Sequence, residues 1–463
     1  MSTLYDLNDA QSIISFAKKL QNQSLKSICE PQVIAHNYQG KGHFGQILEE
    51  FYFQYKPNSD AEPDFKIAGL ELKSSPLKRL KNKQYRAKER LVLNIINYLE
   101  EANQTFETSS FWHKNAHLLL VFYLHQANTD VLDLVIKLVD NWQFPEVDLA
   151  VIKQDWDLIQ RKISTGKAHE LSEGDTFYLG ACTKGSKGGN PREQYNSHIL
   201  AKQRAYSLKQ GYVNHIVATI SKNKTEVFGK FILAPNLLKT QSLESLVISK
   251  FKPFYGKTIA ELVDIFKFKQ NVSVKSFYAN LTNAILDVEL GKKIEEFEKA
   301  EILIKTVRLK NNNLPFEDIS FPCFEYKTLV TELWDDAPIK ERLEHKFLFI
   351  FFKIVGGQFV LQQAKFWNMP YADLLEVEKV WLEARRVVNA GAIVKNVKNN
   401  KRYTNFPSKK FNKVSHVRPH AQNAASTYPL PTKDLFTGEL AYTKHCFWLN
   451  NSYIRDEIYL KNT

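Results

Sequence analysis

The stretch DFKIAGLELKSSP (64–76) places Asp64, Glu71 and Lys73 in one short, otherwise apolar segment. In a strand, successive side chains alternate faces, so Glu71 and Lys73 share one face while Leu70 and Leu72 take the other. Asp64 opens the same hairpin arm, and Gly69 permits a bend or a close backbone approach. Two carboxylates converging with an ammonium group suit a hard divalent cation. Mg²⁺ is typically held by one or two carboxylates and fills its octahedron with water and phosphate oxygens. The lysine can then hold or help deprotonate an attacking water and stabilise charge developing on phosphate. Alone, this spacing is weakly specific: about one match is expected by chance in a chain this long, and a strand-end ion pair is the plainer reading. Two neighbours strengthen it. Glu49 lies in GKGHFGQILEEFY, a helix pattern with Phe44, Ile47, Leu48 and Phe51 on its apolar face, and can add a carboxylate from across the fold. From Leu72 to Lys88 there are seven Lys or Arg and no acid, so phosphate-seeking charge follows the strand directly.

The elements that must position these groups are legible in outline. The 463 residues exceed one ordinary core, so two or more domains are expected. Strands are expected at 64–73, 117–124, 299–308 and 345–355, and helices at 9–20, 43–53, 88–101, 150–163, 257–266 and 374–388. A mixed α/β fold follows. The net charge of +13 favours a polyanionic partner, nucleic acid before an acidic membrane surface. A second acid-free stretch, from Ala384 to Lys433, holds eleven Lys or Arg. The apolar runs LLLVFYL (118–124) and FLFIFF (347–352) fall far short of the ~20 residues a membrane span needs. Cys29, Cys182, Cys323 and Cys446 lie far apart in sequence, which suggests neither a zinc site nor a disulfide framework and fits a reducing cytoplasm.

An internal repeat is also visible. QNQSLKSIC (21–29) can be laid beside YGKTIAELV (255–263), AGLELKSSPL (68–77) beside AEILIKTVRL (300–309), HLLLVFYL (117–124) beside HKFLFIFFKIV (345–355), and YSLKQGYV (206–213) beside FWLNNSYI (447–454). Four matches in one order suggest a duplicated domain: residues 1–225, a linker at 226–250, and residues 251–463. In this alignment Leu303 stands opposite Glu71, Lys305 opposite Lys73, Glu296 opposite Asp64 and Asn283 opposite Glu49. Leucine cannot ligate Mg²⁺, so the second half is expected to be catalytically inactive.

GKGHFGQILEEF, SDAEPDFKIAGLELK, AKERLVLNIINY and FETSSF together resemble the MutH-like restriction endonucleases, and among them the Sau-type GATC-cutting type II enzymes. DWDLIQRKISTGKAHELSEG (155–174), KQRAYSLKQGY and HVRPH (416–420) extend the resemblance across nearly the whole chain. It implies a restriction-endonuclease-like PD-(D/E)xK fold, duplicated as two MutH-like domains, and Mg²⁺-dependent hydrolysis of double-stranded DNA at GATC leaving 5′ overhangs. Asp64, Glu71 and Lys73 would be the catalytic core, with Asp64 and Glu71 on the metal, Glu49 the supporting acid and Lys41 a DNA contact. Lys114 is the candidate for the further lysine that the mismatch-repair member carries.

Base reading is expected from the tail of each half. In the first, the basic loop with Lys184 and the alternating Arg204, Tyr206, Ser207 and Lys209 would reach one groove. In the second, Arg418, Trp448, Asn450 and Asn451 would bind DNA. Arg or Lys to guanine and Asn or Gln to adenine are the pairings GATC needs. The second half would then be an inactive effector, as the family implies. A dimer formed on DNA is one route to cutting both strands, and a cognate methyltransferase is implied by the function. A mismatch-repair-type nickase and a non-catalytic DNA-binding protein are the alternatives. The duplicated half speaks against the first, and the intact Asp64, Glu71 and Lys73 against the second.

Overall fold

The computed structural model describes residues 4–29, 43–55, 61–184, 190–222, 228–232, 236–269, 271–274, 276–399, 401–423 and 425–461. The fold is mixed α/β. The first half carries strands β1 (Glu71–Arg79), β2 (Leu91–Ile95), β3 (His117–Leu124), β4 (Ile136–Gln143), β5 (Leu179–Thr183) and β6 (Arg204–Leu208). The second carries β7 (Leu303–Leu309), β8 (Ile319–Cys323), β9 (Phe347–Val355), β10 (Gln358–Trp367), β11 (Ser415–Pro419) and β12 (His445–Leu449).

The two sets pair alike. β3 runs parallel to β1 and antiparallel to β4, and β9 stands in the same relation to β7 and β10. β6 lies between β2 and β5, antiparallel to both, as β12 lies between β8 and β11. Register agrees residue by residue. Leu208 faces Leu91 and Leu179, while Leu449 faces Ile319 and Ser415. That sets Tyr206, Ser207 and Leu208 in the places of Phe447, Trp448 and Leu449, the correspondence read from YSLKQGYV and FWLNNSYI. Arg418 faces Cys446, and Cys182 faces the matching Ala205, so Arg418 takes the place of Cys182.

Local chemistry explains the main helices. Ala10–Lys18 is capped by the Asp9 side chain, which accepts from the Gln11 and Ser12 N–H groups, and it buries Ile13, Ile14, Phe16 and Ala17. Glu146–Ser164 starts with Glu146 and Asp148 and ends with Arg161 and Lys162, which complements the helix dipole. A second long helix, Tyr371–Asn389, follows β10 as Glu146–Ser164 follows β4. Three expectations need correction. Residues 88–101 form β2 and a short helix at Tyr98–Glu101, because LVLNI alternates burial and pairs with β6. The strand expected from 64 starts at Glu71. The linker expected at 226–250 contains helices Leu237–Thr240 and Leu243–Phe251, the latter burying Leu243, Leu246, Val247 and Phe251.

Burial crosses the expected boundary. One continuous core joins Leu118, Leu120 and Phe122 of β3, residues between 208 and 302, and Leu348, Ile350 and Phe352 of β9. The opposite faces of β3 and β9 pack into two separate cores. The halves also meet through polar groups. Buried Lys299 bonds Asp148 at 2.8 Å, Lys202 bonds Asp335 at 2.7 Å, and Asn368 donates to Asp175 at 3.0 Å. Gly211 is a point of close approach, since a Cβ there would lie 2.1 Å from the Glu298 carbonyl oxygen. No helix among the described residues is long and apolar enough to cross a membrane.

Candidate active site

A tight hairpin brings Asp64 back to Glu71. Phe65 and Leu70 exchange backbone hydrogen bonds of 3.0 and 3.3 Å. Gly69 closes the turn at φ +62°, in the left-handed region where glycine is favoured. The Asp64 N–H then donates to Glu71 Oε2 at 3.0 Å, and the Leu72 N–H donates to Asp64 Oδ2 at 3.0 Å. Leu70 and Leu72 are buried on the far side, as the alternation predicts. On the near side Lys73 Nζ meets Glu71 Oε1 at 2.5 Å. Parallel pairing holds Glu71 beside Leu118 and Lys73 beside Leu120, so the sheet fixes both side chains.

Two further groups close the cluster. Lys114, from the helix before β3, places Nζ 3.7 Å from Glu71 Oε1 and donates to the Glu62 carbonyl at 3.0 Å. Glu49 lies in a π-helical turn, Leu48–Tyr52, that continues the helix His43–Ile47; such turns recur at functional sites. Gly45 lets that helix approach β1, since a Cβ there would sit 3.2 Å from Ser74 Oγ and 3.9 Å from Glu49 Oε1.

The electrostatics are those of carboxylates crowded under cover. Burial pushes Glu71 up to about 7; Lys73 opposes the rise and the Asp64 charge adds to it. Burial and the Asp64 charge likewise push Glu49 up to about 7, with Lys73 pulling it back. Tyr55 was not singled out in the sequence. Among the described residues its buried hydroxyl has no hydrogen-bond partner, and burial with Asp64, Glu49 and Glu71 holds the phenol far above its ordinary range. The clustered aromatics FYFQY just after Glu49 were the available signal.

This donor set fits a hard cation. Asp64 and Glu71 supply carboxylate oxygens side by side, and their crowding is a local excess of negative charge that a divalent ion would relieve. Among the described residues, no group of three His, Cys, Asp or Glu side chains forms a ready-made metal cage. Two carboxylates with water and phosphate would be the arrangement for Mg²⁺ here.

The expected base-reading residues are less uniform. Arg204, Tyr206, Ser207 and Lys209 are all buried, and this corrects the expectation that they reach a groove. Arg204 Nη1 donates to the Ala181 carbonyl at 2.5 Å, Tyr206 donates to Glu101 at 2.8 Å, and Lys209 donates to the Thr176 carbonyl at 2.5 Å. The reason is that both faces of β6 are covered, so side chains on either face are buried. Burial pushes Lys209 down to about 8. Asp155, from the DWDLIQRK motif, is likewise internal and accepts three N–H groups from residues 177–179. Lys184 is half-buried where β5 ends. Lys41 lies outside the described residues.

In the second half Asn450 is buried, 2.5 Å from His416 Nδ1 and donating to the Asn412 carbonyl at 2.9 Å, so it too is internal. The Asn451 amide donates to the Pro315 carbonyl at 3.2 Å. Arg418 is exposed, stacks 3.8 Å over the Trp448 ring and pairs with Asp318 at 3.2 Å. At the place matching Lys73, Lys305 lies beside Arg342, and burial lowers its pKa. Glu296 caps the Phe231 and Ile232 N–H groups, and Asn283 donates to the Lys292 carbonyl.

A strand pair that presents two carboxylates and a lysine from one hairpin, with a second lysine behind, defines a nuclease of the restriction-endonuclease-like class. Comparison with known proteins agrees. The family model "DNA mismatch repair enzyme MutH" matches residues 53–155, the segment holding Asp64, Glu71, Lys73 and Lys114. The type II restriction enzyme Sau3AI of Staphylococcus aureus is 36% identical over 459 residues, covering 91% of this chain and 93% of that protein. The DNA mismatch repair protein MutH of Shewanella woodyi is 29% identical over 181 residues, covering 38% of this chain and 76% of its own length. The chain belongs to the MutH-like type II restriction endonucleases, site-specific deoxyribonucleases.

Proposed function

We propose that the chain hydrolyses phosphodiester bonds of double-stranded DNA at GATC, using Mg²⁺ and leaving 5′ overhangs. The observation that carries this reading is the hairpin convergence of Asp64, Glu71 and Lys73. The GATC site comes from the family resemblance. Asp64 and Glu71 would hold Mg²⁺, which when bound supplies Lewis acidity at a phosphate oxygen. Lys73 Nζ, on the open face of the strand, holds the attacking water and stabilises the charge that builds on phosphate. Lys114 balances Glu71 from behind, and Glu49 supports the acidic side of the cluster.

The second reading within this proposal concerns the duplicated half. Among the described residues of 251–463, with Leu303 in place of Glu71, no matching two-carboxylate site is formed. The exposed Arg418, stacked on half-buried Trp448, and the long acid-free stretch support a role as a DNA-binding effector. Supercoiled plasmid with Mg²⁺ tests the main reading: linear fragments cut at GATC are expected, whereas nicked circles point to a nickase and an unchanged plasmid to a binding protein. Short GATC duplexes test the effector. They should stimulate cleavage of a one-site plasmid, and Arg418→Ala should remove the stimulation. Simple competition by the duplex makes the second half a scaffold.

A further inference from the structure

Four cysteines scattered along the sequence suggest nothing, but the fold brings two of them together. Cys323 on β8 and Cys446 on β12 face each other directly across an antiparallel pair. Such partners have Cα atoms about 4.5–5.5 Å apart, inside the range of about 4.4–6.8 Å that a disulfide spans. The two thiols lie close enough for each to influence the other's ionisation. Both also touch one residue: Cys323 Sγ lies 3.2 Å from the His420 carbonyl oxygen, and Cys446 Sγ lies 3.5 Å from His420 Nδ1. On its other side Cys446 faces Arg418 of β11. Residues in register on neighbouring strands share a face, so Cys323, Cys446 and Arg418 form one row. Trp448, two residues along β12, carries the Arg418 guanidinium, and its ring is 5.0 Å from that of His420. The thiol pair therefore lies against the exposed surface that the effector reading assigns to DNA.

We infer that Cys323 and Cys446 are a modification site: a cross-strand thiol pair that a low-molecular-weight disulfide closes, and whose closure alters the Arg418–Trp448–His420 surface. The consequence for DNA rests on the effector reading; the disulfide itself does not. The chemistry balances as two exchanges. Cys323 is half-buried; burial raises its thiol pKa and nearby Lys444 opposes the rise, and it is the more accessible of the two sulfurs. Its sulfur attacks one sulfur of the disulfide RSSR, forming a mixed disulfide, and the proton Cys323 loses leaves with the first RSH. Cys446 is fully buried, and burial pushes its thiol up to about 12, so its proton needs an acceptor at hand. His420 Nδ1 is that acceptor. The Cys446 sulfur then attacks Cys323 Sγ, breaks the mixed disulfide and expels the second RS⁻, which takes the proton from His420. Two thiols are oxidised and one RSSR becomes two RSH. Closure removes both thiol contacts to His420, the residue after Arg418-Pro419, and so loosens the end of β11, the strand that carries Arg418.

The test uses the full chain with oxidised glutathione as the oxidant. Alkylation and peptide mapping are expected to show Cys323 linked to Cys446, with Cys29 and Cys182 still free thiols. Cleavage stimulated by short GATC duplexes should fall on oxidation and return with a dithiol reductant, while Cys323→Ser stays insensitive. Because Cys446→Ser alters a fully buried position, Cys323→Ser carries the control. If both thiols remain alkylatable after prolonged exposure, or only a mixed disulfide persists on Cys323, the inference is overturned. A closed pair with unchanged stimulation overturns its link to Arg418. Absence of stimulation in the reduced chain counts against the effector reading, while the peptide map still decides the disulfide.

Discussion

Glu71 and Leu303 begin β1 and β7, which pair in parallel with β3 and β9. One position holds a carboxylate that is 1% exposed and pushed up to about 7; the other holds a half-buried leucine. The second sheet forms without a carboxylate there. Glu71 is therefore no requirement of the fold, and burying it works against stability. Around it the first half adds Asp64, Glu49 and Lys114, whereas the second half sets Lys305 against Arg342 and uses Glu296 as a backbone cap. The difference separates what the architecture needs from what the chemistry needs.

The comparison breaks most sharply at Glu71. Glu71→Leu, which copies the second half, should lower the cleavage rate by about 10³-fold or more, the equivalent of about 4 kcal/mol in the barrier. Its melting temperature should hold or rise, because a poorly solvated carboxylate is gone. Asp64→Ala should lose cleavage similarly while duplex binding in Ca²⁺ persists. Efficient cutting by either variant would move the site elsewhere.

Next comes the seam between the halves. Lys299→Ala leaves Asp148 buried without its cation, and breaking such a pair costs about 3–5 kcal/mol. Thermal unfolding should shift well down for the whole molecule. A shift confined to one transition of two would show that the halves melt separately.

Lys73 sharpens the chemical side. Lys73→Ala should cost about 10²–10⁴-fold in rate, the range for a lost proton-transfer group. Lys73→Arg should keep a trace, since arginine retains the charge but is no base near neutral pH. Wild-type rates for Lys73→Ala at saturating Mg²⁺ would reduce the lysine to an ion-pair partner of Glu71.

The smallest effect distinguishes the central strands. Arg204 opens β6, while His445 opens β12 at the matching place, fully buried. Burial pushes His445 down to about 4. Its folded-state pKa is depressed, so folding favours the neutral ring. The contribution is fully present above about pH 6.5 and is lost as pH falls toward 4. His445→Gln should flatten that part of the stability profile; an unchanged profile would show that other groups set the acid limit.

Much of the candidate site's geometry was legible because it is local. Alternation placed Glu71 and Lys73 on one face, and Gly69 marked the turn that returns Asp64. The tail residues were not legible for a physical reason. Alternation tells which side chains share a face but not whether a neighbouring layer covers both faces, and β6 is covered on each. The period of AKERLVLNIINY suits a helix as well as a strand, and only pairing with β6 decides. Cys323 and Cys446 meet through sheet pairing that no local pattern announces.

The core shared between the halves carries a consequence for lineage. Leu118, Leu120 and Phe122 share one dry cluster with Leu348, Ile350 and Phe352. If the halves arose by doubling one ancestor, each copy has since become the other's solvent. A lone half would present to water a greasy surface that a self-sufficient cousin cannot tolerate. Single-unit relatives, such as the repair protein that aligns with 38% of this chain, should therefore carry hydrophilic residues on that sheet face. Fusion would then be a one-way step, closed off by the very side chains that made it stable.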